Sequence, residues 1–93
     1  MTVGVLTITL LIPESNSLKD KRQVVKSLVE TIRHRFNVSA AEVGELNSWR
    51  KAIIGVSCVS NDRAVANSLL DKVMDHVRSN PRIELFESKL DLV

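Results

Sequence analysis

The chain predicts a single α+β domain with four strands and two helices in the order βαββαβ. Three observations carry this reading. Two aliphatic runs alternate at period two, near the start and the middle of the chain. Two longer segments carry apolar residues at helical spacing. Cap and turn residues separate the four segments, with no linker, repeat or low-complexity stretch between them.

Val3 to Ile12 is the first expected strand. Leu6, Ile8, Leu10 and Ile12 give it one wholly aliphatic face. Val3, Val5, Thr7, Thr9 and Leu11 give a mixed one, a pattern suited to the centre of a sheet. Pro13 ends the strand and Glu14-Ser15-Asn16 forms the loop. Ser17 caps the next helix, with Asp20 placed to reach back as in a capping box. Val25, Leu28, Val29, Ile32 and Phe36 form its apolar stripe, and Asn37 closes it.

Val38 to Leu46 reads as a weaker strand, interrupted by Glu42 and Glu45 and bent at Gly44. A connection through Asn47, Ser48, Trp49 and Arg50 leads to the third strand, Ala52 to Val59. Ser60-Asn61-Asp62 caps a second helix with its stripe at Ala66, Leu69, Leu70, Val73 and Val77. Asn80-Pro81 stops it. Arg82 to Leu92 is the last strand, with charges that suit an exposed edge.

Both apolar helix stripes need the same sheet face for burial. Right-handed crossovers then give the ferredoxin-like split βαβ sandwich, a four-stranded antiparallel sheet with two helices on one face. Ninety-three residues make one such domain, 1–93. At this size about 60–65% of the unfolded surface is buried on folding. That is one core, without room for a deep cofactor cavity.

Composition excludes several functions. A single cysteine, Cys58, allows no internal disulfide and no cysteine metal cluster, which fits a cytoplasmic home. The first apolar run lacks a basic region before it and a cleavage site after it, so it reads as a strand and not a leader. It is too short to span a membrane. His34 and His76 have no partner at metal-ligand spacing and read as surface residues. Glu42 and Glu45, three apart on a strand, point to opposite faces and make no catalytic pair. Ser60-Asn61-Asp62 lacks the companion motifs of penicillin-binding enzymes. No acid–base–nucleophile set is visible, so neither enzyme chemistry, a cofactor nor a metal is expected.

The formal charge is +2, unevenly placed. Between Ser17 and Phe36 six cations (Lys19, Lys21, Arg22, Lys26, Arg33, Arg35) face two carboxylates (Asp20, Glu30), a net of +4. Lys19, Arg22, Lys26 and Arg33 fall within roughly a 60° arc of the first helix. A row of this kind suits phosphates along a nucleic acid. The competing reading is a solvated helix face with a Lys26–Glu30 pair. Bases in the first helical turn oppose the helix dipole, a local mismatch that favours function.

Trp49, with Arg50 and Lys51 beside it, is placed to stack a base or anchor a partner. The competing reading folds its ring over the end of the core. On the open sheet face the first and third strands carry no aromatic, so base stacking there is not expected. Val3, Val5, Leu11, Ile53 and Val59 make that face semi-apolar and are candidates for a homodimer or protein interface.

Several segments together resemble one family. They are Val3-Gly4-Val5-Leu6, Ser17 to Arg22, Arg35-Phe36-Asn37-Val38-Ser39, Ala41-Glu42-Val43, Trp49, Gly55-Val56 and Val59-Ser60-Asn61-Asp62. In this order they resemble the YlxP-like family of small bacterial proteins of unknown function, over nearly the whole chain. The resemblance implies the ferredoxin-like fold. It also implies an association with translation, because genes of the family often stand beside those for translation initiation and a ribosome-binding maturation factor. Asn47-Ser48 departs from the acidic residue that relatives often carry there. The expected function is a small non-catalytic factor that binds ribosomal RNA or a ribosomal particle through the basic helix. The alternative is a homodimeric interaction module without a nucleic-acid role.

Overall fold

The computed structural model describes residues 1–93. The elements are β1 (Thr2–Leu11), α1 (Leu18–Arg35), β2 (Ser39–Gly44), β3 (Lys51–Ser60), α2 (Arg63–Arg78) and β4 (Glu84–Leu92). The sheet order is β2-β3-β1-β4 and every neighbouring pair is antiparallel. This is the expected ferredoxin-like α+β arrangement.

β1 is central because both of its edges are used. It pairs with β3 along its whole length and with β4 along most of it. Leu6, Ile8, Leu10 and Ile12 point into the helix layer, as their alternation requires. Ala52, Ile54, Val56 and Cys58 join them from β3. α1 adds Val24, Val25, Leu28, Val29 and Ile32, and α2 adds Ala66, Leu70, Val73, Met74 and Val77. The stripes are thus wider than the expected ones by Val24 and Met74. Gly4 sits under α2, where a Cβ would stand 2.8 Å from Leu70 Cδ1 and 3.1 Å from Cys58 Sγ. The missing side chain lets the helix close on the strand.

The caps are those the sequence supplies. Ser17 Oγ accepts from the Asp20 amide, while the Asp20 carboxylate accepts from the Asn16 amide instead of the cap residue's own. Asp62 Oδ1 accepts from the Ala64 and Val65 amides. α1 ends at Arg35, with Phe36 already extended.

Two bulges change the expected strand registers. One lies between Glu42 and Gly44 and leaves Val43 on the open face, where it covers Gly55. The other lies opposite Thr9 and Leu10 and inserts Phe86. Leu85 and Leu90, an odd number apart, therefore both pack on the core. Phe86 goes to the open side, 58% exposed, with Lys51 Nζ 5.5 Å from its ring centre. The open face thus does carry an aromatic, contributed by β4, which the first and third strands alone did not reveal.

Candidate functional site

The polar features converge where β1 ends, α1 begins and the β2–β3 connection turns. Lys21 organises this end. It is fully buried, although it lies in the most basic segment of the sequence. Its Nζ donates to Glu42 Oε2 and to the Glu45 carbonyl, both at 2.8 Å. The Leu46 and Lys51 carbonyls stand at 3.5 Å. The Glu42 side chain is only 18% exposed. A buried ammonium requires such an acceptor cage. Of the six cations counted in this segment, Lys21 is thus not at the surface. The surface of Ser17–Phe36 carries five cations and a net of +3, and one of the three bases opposing the dipole is explained by packing.

Glu42 and Glu45 do not share a strand as expected, because β2 ends at Gly44. Glu42 faces the helices from β2, and Glu45 adopts a left-handed backbone with φ of 59°. That kink turns the Glu45 carbonyl onto Lys21. An ordinary residue tolerates this region at a cost, and the Lys21 bond offsets it.

The cage pins the connection that carries Trp49. Ser48 Oγ accepts from the Lys51 amide at 3.0 Å. The Ile12 amide donates to the Arg50 carbonyl at 2.7 Å. Arg50 Nε donates to the Ser15 carbonyl at 2.9 Å, and the buried Ser15 hydroxyl donates to the Ser17 carbonyl. Trp49 is thus held beside the start of α1, and it is 59% exposed. Its ring does not fold over the core.

The remaining candidates divide. Lys19, Arg22, Lys26 and Arg33 are all exposed on the flank of α1 that borders β2. Lys26 and Glu30 form no ion pair. Arg33 is partly committed, because its Nε donates to the Ala40 carbonyl on the outer edge of β2 at 3.0 Å. Lys51 turns to Phe86 on the open sheet face and so stands apart from the basic helix row. On that face Val3, Val5, Leu11 and Ile53 are half-buried by their sheet neighbours, and Val59 is 68% exposed. Val43 and Ala41 extend this apolar area and were not among the expected residues. A shallow cleft of about 390 Å³ crosses it, lined by Val5, Ala41, Val43, Gly55 and Ser57.

A family model described as "Protein of unknown function (DUF503)" matches residues 3–90. The chain belongs to this family. Among curated proteins it is similar to "Uncharacterized protein YlxP" of Bacillus subtilis (strain 168), with 32% identity over 82 residues, 88% of this chain and 89% of that one. As a DUF503 chain it has no helix long and apolar enough to cross a membrane.

His76 departs from the expected free surface histidine. It packs edge-on against Phe36, with ring centres 5.8 Å apart, and its Nδ1 lies 3.3 Å from Arg35 Nη1. Arg35 can only donate, so Nδ1 accepts and the ring proton sits on Nε2. Burial first, and the Arg35 charge second, lower its pKa from 6.5. The unfolded chain therefore takes up this proton more readily than the folded one. The stability that depends on neutral His76 is full above 6.5 and is lost as pH falls through the lowered value. His76→Gln is expected to flatten the loss of urea stability as pH falls below 6.5.

Proposed function

We propose that this domain is a small non-catalytic docking factor of the cytoplasm that binds RNA or a ribonucleoprotein in ribosome assembly or translation. The observation that supports it is the exposed Trp49 on a turn fixed beside the basic start of α1. A large aromatic left in water on a rigid turn offers a stacking surface without an ordering cost at binding. Lys19 and Arg22 flank the same end of α1, and Lys26 continues the row for phosphates. Arg50 keeps its terminal nitrogens for a ligand while Nε holds the loop. The single buried cysteine is in keeping with a reducing compartment.

Co-sedimentation with ribosomal particles across a salt series tests this. Binding is expected at low salt, with a log–log slope that falls by about one for each phosphate the protein no longer neutralises. The Lys19→Ala/Arg22→Ala/Lys26→Ala variant should lower that slope by about two to three. Absence from every particle fraction at the lowest salt would overturn the proposal.

The apolar half of the open face supports a second reading, self-association without a nucleic-acid role. A chain that stays monomeric in light scattering at all concentrations would count against it.

A further inference from the structure

The two edges of the sheet are treated differently, and the difference points to a partner. β2 is short, and Arg33 occupies the Ala40 carbonyl on its outer side. An incoming strand would have to displace that guanidinium. β4 has nine residues and no side chain is bonded across its outer edge.

The backbone alternation identifies which groups of β4 are free. Val3 and Val93 exchange both of their hydrogen bonds, at 2.9 and 2.8 Å. Every second pair then does the same, so Asp91, Lys89 and Glu87 bond inward to Val5, Thr7 and Thr9. The N–H and C=O groups of Ser88, Leu90 and Leu92 point outward. Lys89 and Asp91 extend from the open face, since Leu90 and Leu92 pack on the core side.

We infer that the outer edge of β4 pairs antiparallel with β4 of a second copy of this chain, about a two-fold axis at Leu90. Charge selects this register. With the axis at Leu90, Lys89 of each copy stands directly opposite Asp91 of the other, and Ser88 bonds with Leu92. With the axis at Lys89, lysine meets lysine and Glu87 meets Asp91. With the axis at Ser88, the bulged segment Phe86–Glu87 would have to pair regularly. The Leu90 axis alone uses the regular part of the strand and places opposite charges across it in the close, non-hydrogen-bonded positions. In the single chain Lys89 and Asp91 meet only weakly, at 3.9 Å and both well exposed. The result is an eight-stranded sheet with four helices on one side. Both copies of the Trp49 turn stay free, so the inference does not depend on RNA docking.

Sedimentation equilibrium of the full chain over a concentration series tests it. The parent is expected to show a monomer–dimer equilibrium. Lys89→Asp, or Asp91→Lys, should weaken it about tenfold or more, since each change creates two like-charge pairs. Combining the two restores the opposite charges in swapped order and should return the dissociation constant to within about threefold of the parent. Ser88→Pro removes only an outward N–H, which an edge strand tolerates, and should give a folded monomer by circular dichroism. A parent that stays monomeric throughout overturns the inference. So does a dimer that survives Ser88→Pro, or a double swap that fails to recover the single ones.

Discussion

Glu42→Leu is expected to cost the fold about 3–5 kcal/mol, out of a total near 5–14 kcal/mol for a domain of this length. The change leaves the fully buried Lys21 ammonium without its counter-charge. Three carbonyls remain around Nζ, from Glu45, Leu46 and Lys51, so the loss should fall toward the lower end of that range. Lys21→Met is expected to cost less, about 1–3 kcal/mol. Its thioether chain fills the same space, and the partly exposed Glu42 can turn to water. The double variant Lys21→Met/Glu42→Leu should come back to within about 2 kcal/mol of the parent, since an apolar pair replaces a desolvated ionic one. Urea unfolding followed by circular dichroism measures all three. Trp49 is the only tryptophan and the chain has no tyrosine, so its fluorescence reports the turn alone. In Lys21→Met its anisotropy should fall while the helix signal is kept. Equal anisotropy in parent and variant would mean that Lys21 does not fix the turn.

Trp49→Ala is expected to lower unfolding stability by no more than about 1–2 kcal/mol, because more than half of the residue already stands in water in the folded chain. Its effect belongs to binding. One stacked base contributes about 1–3 kcal/mol, so affinity for the ribosomal particle should drop between about 5-fold and 150-fold. The salt slope should stay unchanged, since every cation that meets a phosphate is kept. Trp49→Phe should recover part of the affinity, as every aromatic offers a face. These two signatures separate stacking from charge. A fall in slope together with affinity would show that the variant had disturbed the basic flank as well.

Element order, both helix caps and the two aliphatic strand faces were legible because each depends on local chemistry. Period two at Leu6 to Ile12 and helical spacing from Val25 to Ile32 leave few alternatives. Lys21 was not legible as a core residue, because a lysine in a basic segment reads as surface until its partner is known. That partner lies 21 residues away in sequence, and only the bulge before Gly44 and the left-handed turn at Glu45 bring the acceptors together. Phe86 had a usable sign in the odd spacing of Leu85 and Leu90, which requires a bulge if both are to reach the core. Trp49 lay between two readings because exposure of an aromatic in a connection depends on how that connection is anchored. Arg50 and Ser15 settle it, from segments 35 residues apart.

The position of β1 carries a consequence for the chain during its synthesis. It is synthesised well before its two neighbours in the sheet, residues 51–60 and 84–92. No early hairpin can satisfy it, and α1 alone offers its aliphatic face an incomplete cover. At translation rates of about 5–20 residues per second, this strand waits several seconds for its last partner. Folding is therefore expected to be a single late event, completed only when β4 arrives. Until then the nascent chain presents a ten-residue strand segment with an unburied aliphatic face that holdase chaperones would recognise.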